Sequence, residues 1–339
     1  MKRFVVVLLI LLAASGVFAQ SYSFSQFQTA FQDFATGTAS ALPLDSSVGL
    51  NWSDAYIGQL LDMPPHFGIG VTAGAATIPF SAVNKTITAF GGSLPSELSF
   101  LSSWGIPLPA YTIDVRIGGF VLPFDIGLKF GYLPSNSLSN FGINAFSADY
   151  LLAGADVRYA ILKDSGVSPG LSVGIGYTYL RGNASLPGVL NGAIDITSVS
   201  FGGTTHKLSF TNPSLAFSWN TSVIDLKAQL SKTFFIITPF VGAGVSYGIS
   251  NAGGGMQSTM QVDNAPATQT QIDQLNSAFG TNYTLQNPGF SVSEAASGFS
   301  ARAFGGFSIN IFVLKIGLGA EYEFLSGSIA GMANVRVQL

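Results

Sequence analysis

The stretch HFGIGVTAGAAT, residues 66–77, decides the fold. Phe67, Ile69, Val71, Ala73 and Ala75 share one parity, and His66, Gly68, Gly70, Thr72 and Gly74 share the other. Successive side chains of a strand point to opposite faces, so this is a strand with one apolar face and one small or polar face. The pattern recurs. Ile113, Val115 and Ile117 stand against Asp114, Arg116 and Gly118. Ile126, Leu128 and Phe130 stand against Asp125, Gly127 and Lys129, and Ala153, Ala155 and Val157 against Gly154, Asp156 and Arg158. It returns over residues 171–179, 237–247, 299–309, 315–324 and 333–339. One strand changes phase: Leu215, Phe217 and Trp219 lie on the opposite parity to Ile224, Leu226 and Ala228. A β-bulge near Ser222 or Val223 would reconcile them.

Composition says what the apolar faces meet. Charged residues are 9% of the 339, where an ordinary soluble domain has about 25%. Mean hydropathy is +0.43. Beyond the first residues no apolar run approaches the ~20 residues of a membrane helix. A backbone in lipid must satisfy its own hydrogen bonds, and strands do so only in a closed barrel. The expectation is an all-β, transmembrane antiparallel up-and-down β-barrel of about 10 strands, eight to twelve being possible.

The connections agree. Short joints fall near Pro123 and residues 163–168, 231–233 and 312–313, and long segments near 79–109, 134–147, 182–213 and 250–297. Turns on one side and loops on the other are the habit of membrane barrels. A hairpin of residues 192–201 with 206–210 would either lengthen two strands beyond the membrane or raise the count to twelve. Ile272, Leu275 and Phe279 mark a short loop helix that Gly280 would stop. Aromatic residues gather at the loop ends of the apolar faces (Tyr111, Tyr132, Tyr177, Tyr179, Trp219, Tyr247, Phe299, Tyr322, Phe324) and at the turn ends (Phe67, Phe124, Tyr159, Phe235). Two girdles at the membrane interfaces are expected from them.

The N-terminal part reads differently. Lys2 and Arg3, the apolar run Phe4–Ala14 and Val17-Phe18-Ala19 form a signal peptide over residues 1–19. Residues 20–64 do not alternate. Phe24, Phe27, Phe31 and Phe34 recur at helical spacing, and a second helix is expected from Ser53 or Asp54 to Met63, stopped by Pro64 and Pro65. This segment is either a plug inside the barrel or a piece resting at its periplasmic rim. The barrel proper takes residues 65–339.

Function classes narrow by exclusion. With no cysteine there is no disulfide scaffold, thiolate metal site or cysteine nucleophile. A formal charge of −3 gives no reason to expect nucleic acid. His66 and His206 have no metal-ligand spacing. A barrel enzyme would have to assemble His206 with Asp195 and Ser209, and nothing in the spacing brings them together, so no catalytic, metal or cofactor site is expected. The candidate binding residues are the charges on the inward parity: Asp114, Arg116, Lys129, Asp156, Arg158, Arg302, Glu321, Glu323 and Arg336, with Asp125, Asp225, Lys227 and Lys315 beside them. Both signs are present. They line a pore or a solute site, or they pair with one another and close a narrow lumen.

With its leader, its alternation, its loop asymmetry and its terminal strand Ala333–Leu339, the chain resembles integral outer-membrane β-barrel proteins of diderm bacteria, and loosely those of spirochaetes. It departs from the common pattern in ending on Leu339 where such families often end on an aromatic residue. The resemblance implies the outer membrane as location, and outer-membrane lipid and the barrel-insertion machinery as partners. Two functions remain open. One is a small channel or transporter for small solutes or hydrophobic molecules. The other is a closed structural or adhesin-like barrel acting through its extracellular loops.

Overall fold

The computed structural model describes residues 24–57, 66–78, 106–119, 122–134, 147–187, 194–280 and 290–339. Residues 1–19, expected to be a leader, residues 20–23 and 58–65, and most of the long segments near 79–109 and 134–147 lie outside them. A helix, α1 (Phe24–Asp45), precedes β1 (His66–Ile78), β2 (Ile106–Gly118), β3 (Phe124–Leu133), β4 (Ser147–Leu162), β5 (Gly170–Pro187) and β6 (Ile194–Phe201). Then come β7 (Thr204–Ser231), β8 (Ile237–Val262), β9 (Ala265–Pro266), the helix α2 (Gln269–Phe279), β10 (Phe290–Ile311), β11 (Leu314–Glu323) and β12 (Ile329–Gln338).

Ten strands close into one antiparallel barrel. The neighbours run β1-β2-β3-β4-β5-β7-β8-β10-β11-β12, and β12 returns to β1 through Gly68↔Gln338 to Ala76↔Ala330. Closure leaves no unpaired edge, the condition for crossing lipid with strands. The parity read in the sequence is the parity observed. Thr72, Asp114, Arg116 and Asp125 are buried inside, while Val71, Ile113, Ile126, Leu128 and Phe130 form part of an exposed apolar outer belt. Leu128, mid-strand and outward, is 56% exposed. Leu128→Arg should therefore cost about 2–4 kcal/mol of stability in lipid, the penalty of a cation at the bilayer midplane. A lowered midpoint in chemical unfolding from vesicles checks this.

The hairpin β6–β7 is an extension, not an eleventh and twelfth barrel strand. Among the described residues β6 pairs only with the upper part of β7, turning on Gly202 and Gly203, and upper β7 also pairs with upper β8. Much of the segments near 182–213 and 250–297 is thus continued strand. α2 lies there with the expected Gly280 stop in the left-handed region and Ile272 and Leu275 buried. Its N-terminus is closed by a Thr268–Gln271 capping box.

Four expectations are corrected. β5 pairs with β7 from Gly170↔Ser231 to Pro187↔Ser214 without a shift, so there is no bulge at Ser222 or Val223. Val223 and Thr221 point inward and are buried, and Trp219 shares their parity. An apolar cluster around Leu42 fills part of the upper lumen, with Trp219 packed against it, which is why an apolar inward face reads as a phase change. The register shift lies higher, between Thr211 and Ser214. Trp219 accordingly belongs to the interior and not to the outer girdle. The second N-terminal helix is absent over residues 53–57, which form bends and irregular backbone. Their backbone groups bond to the barrel wall, in competition with helical bonding. Finally, the joint β11–β12, residues 324–328, is short although it falls on the loop side.

Candidate functional site

The site is the lumen and what fills it. Pro43 stands in the last turn of α1, and the helix ends at Asp45. The chain then passes through Gly49 (φ 87°) and Leu50 (φ 61°), both left-handed. Gly49 is required there. A Cβ would lie 2.4 Å from Thr112 Oγ1 and 2.8 Å from Asp114 Oδ1. Leu42, Leu44, Val48, Leu50, Trp52 and Ile57 are all buried. Leu42 and Val48 pack with Ala110, Tyr150, Leu152 and Leu180, and Leu44 with Ala76 and Ala330, in the loop-side half. Ile57 reaches the turn side, where its carbonyl oxygen is 3.3 Å from His66 Nδ1. Upstream of Asp45, α1 leans mainly on the long strands β8 and β10.

The wall holds this insert by its backbone. Lys129 Nζ donates to the carbonyls of Ser46 (2.6 Å) and Val48 (2.9 Å), completing the frayed end of α1. Arg116 donates to Leu50 O (3.2 Å), Gln229 to Trp52 O (2.7 Å) and Ser53 O (3.0 Å), and Arg158 to Asp54 O (2.7 Å). The Ala55 amide donates to Ser231 Oγ (2.8 Å) and the Ile57 amide to Asp125 Oδ2 (3.0 Å). These are groups a non-helical buried segment would otherwise leave unsatisfied, at real cost.

Side chains complete the network. Asp54 accepts from Lys315 (2.9 Å) and Arg336 (2.8 Å). Glu321 accepts from Ser47 (2.7 Å) and from Asn51. Two guanidinium groups stand over the Trp52 ring, Arg336 at 5.0 Å and Arg116 at 5.7 Å from its centroid, both within cation–π distance. Among the wall residues themselves, Asp125 joins Arg116 and Arg158, and Asp156 joins Arg116 (2.8 Å) and Lys227 (2.9 Å). Arg302 bonds Asp225 (2.7 Å), and its Nε lies 3.1 Å from Glu321. Asp114 accepts from Thr72 (2.5 Å), Thr112 (2.6 Å) and the Leu50 amide (3.3 Å).

Of the inward charges read from the sequence, twelve thus meet in one connected lumen. Glu323 stands apart, because it accepts from the amides of Ala301 and Ser326 and secures the β11–β12 turn. His206 is in the extension. Its Nδ1 is 2.8 Å from Asp263 and its Nε2 is 2.6 Å from Thr204 Oγ1. The hydrogen bond to His206 holds the Asp263 carboxyl below the ordinary range. Both ring nitrogens of His206 thus meet residues that the sequence reading did not name, Asp263 and Thr204. Among the described residues no cluster of acidic residues and histidines could hold a metal ion.

Sequence reading missed the residues that meet these charges: Asn51, Trp52, Ser53 and Asp54. Their stretch has no periodicity, so pattern could not place them. The available signal was on the wall. Added Cβ atoms at Gly68, Gly118, Gly127 and Gly248 would lie 2.6 Å from Trp52, 2.7 Å from Ile57, 2.7 Å from Leu50 and 2.8 Å from Pro43. Inward glycines record where the insert presses. The space left beside it, near Asn51, Lys129, Asp156 and Asp225, is a cavity of about 30 Å³, room for one or two water molecules.

No family model and no curated protein matches the sequence. The solved structures to which the chain is similar are outer-membrane β-barrels. They include the outer membrane protease OmpT from Escherichia coli (9% identity, 83% of this chain and 97% of that one, TM-score 0.35). The translocator domain of the autotransporter NalP from Neisseria meningitidis is another (11% identity, 82% and 89%, TM-score 0.33). A third is the toluene transporter TbuX from Ralstonia pickettii (9% identity, 87% and 96%, TM-score 0.24). Their differing activities, at such low identity, carry nothing to the activity of this chain.

Proposed function

We propose that the chain is an outer-membrane channel for small solutes, kept shut by residues 41–57 of its own N-terminal segment. One observation carries the reading. A barrel that is closed for good can fill its lumen with its own strand side chains. Here the wall is bare at Gly68, Gly118, Gly127 and Gly248, and the filling comes from a separate segment. That segment is held by side chain-to-backbone bonds, and its removal would leave a path lined by charges of both signs. Such a lining suits small polar solutes without strong charge selection. The outer apolar belt supports the membrane location. The second reading, a closed barrel acting through its loops, is favoured by the number of hydrogen bonds and ion pairs that tie the insert to the wall.

The two are separated by a reversible lock. Ser53 Oγ and Ser308 Oγ are 2.7 Å apart, and the chain has no cysteine. In planar bilayers under applied voltage, the reduced S53C/S308C protein should open in discrete steps. Oxidation should abolish them and a reductant restore them. Silence in both states, with the folded barrel verified by its gel shift, contradicts the channel and leaves the loops as the working surface.

A further inference from the structure

Two turns on the side opposite the long loops are built against local preference. β7–β8 turns on Phe235 and Ile236, closed by the Phe234 amide to Ile237 O (2.7 Å) and the Ile237 amide to Phe234 O (2.9 Å). β10–β11 turns on Phe312 and Val313 between the paired Ile311 and Leu314. In each, the first turn residue is a phenylalanine in the left-handed region, φ 53° at Phe235 and 52° at Phe312. A two-residue hairpin with positive φ at that corner favours glycine, and a bulky residue there is strained. Both rings are also bare: Phe235 is 102% exposed and Phe312 is 87% exposed. The turns are adjacent, since the Asn310 amide donates to Ile236 O at 2.7 Å. They form one apolar tip, continuous through Ile237 and Ile311 with the lipid-facing belt.

The β4–β5 turn on the same side is unlike them. It carries Lys163, Asp164, Ser165 and Ser168 beside one exposed apolar residue, Val167, and Lys232, at the start of the β7–β8 connection, reaches back to Asp164 at 3.2 Å. Apolar hairpin tips in water would combine strain with unfavourable hydration. The same rings at the boundary of headgroups and acyl chains recover their burial. We propose that the β7–β8 and β10–β11 turns form a lipid-inserting tip, sunk into the turn-side leaflet, while the β4–β5 turn stays in water. The barrel is thereby anchored unequally around its turn-side rim.

Single cysteines test this, because the parent chain has none. Phe235→Cys, Phe312→Cys and Val167→Cys, each labelled with a small fluorophore, are refolded into phosphatidylcholine vesicles. Labels at 235 and 312 should be quenched several-fold more by lipids bearing a nitroxide high on the acyl chain than is the label at 167. Aqueous iodide should show the opposite order. Labels at 235 and 312 as open to iodide as that at 167 would overturn the proposal and point to a protein partner for the tip. A second variant guards against loss of the anchor by the label itself. F235G/F312G relieves the strained corners, so it should fold in detergent with an unchanged gel shift. It should insert into vesicles several-fold more slowly than the parent, and an unchanged insertion rate would also overturn the proposal.

Discussion

Asp125→Asn should lower the stability of the barrel by about 3–5 kcal/mol, the cost of breaking a buried ion pair from one side. Asp125 is wholly buried and serves three donors: the guanidinium groups of Arg116 and Arg158 and the Ile57 amide. An asparagine keeps the shape, removes the charge, and turns an NH2 group toward two cations. Arg116 retains Asp156 at 2.8 Å, whereas Arg158 retains only the Asp54 carbonyl among the bonds described above. The double variant D125N/R158L should therefore be less destabilised than D125N alone, because it removes the cation left without its carboxylate. Chemical unfolding from lipid vesicles reads both effects. A loss under 1 kcal/mol for D125N would mean that water enters the lumen and screens these charges, against the packed interior described above.

Trp52→Ala should act on the insert more than on the barrel. The indole is 1% exposed, rests on Gly68 and has the Arg116 and Arg336 guanidinium groups over its ring. Truncating a buried aromatic residue to alanine costs about 3–5 kcal/mol. Trp52 is on the inserted segment, so the loss falls on the equilibrium between seated and unseated segment. Hydrogen exchange at residues 46–57 should accelerate by roughly a hundredfold or more, while the central amides of β3, β4 and β5 keep their protection. In bilayers the same variant should spend more time open. Equal acceleration in the insert and in those strands would show that the two unfold as one unit, and the segment could not then work as a gate.

Most of the barrel was legible because period-2 alternation survives translation into structure. From Phe67 to Val71 and from Asp125 to Phe130, each residue faces where its parity says. The reading failed where the lumen changes character. Val223 and Trp219 are apolar yet point inward, because α1 fills the upper lumen, where Trp219 packs on the Leu42 cluster and Val223 lies near Pro43 across Gly248. It failed again over Ser53–Ile57, whose conformation is set by partners on β1, β3, β4, β7, β10, β11 and β12, distant in sequence. The candidate site was half visible. The inward charges announced themselves by parity, but their partners Asp54, Asn51 and the carbonyls of residues 46–54 sit in a segment without any repeat. Inward glycines are ambiguous in sequence, since they also ease curvature in a narrow barrel, and only the fold shows them opposite Trp52, Ile57 and Leu50.

The central claim is that residues 41–57 close a passage that the ten strands would otherwise hold open. The most direct test is single-channel recording of the intact protein beside a form lacking residues 24–57, both refolded and verified as barrels by heat-modifiable migration. The account predicts brief, rare openings from the intact protein and steady, larger conductance from the shortened one. A shortened barrel that is folded but conducts nothing would contradict it.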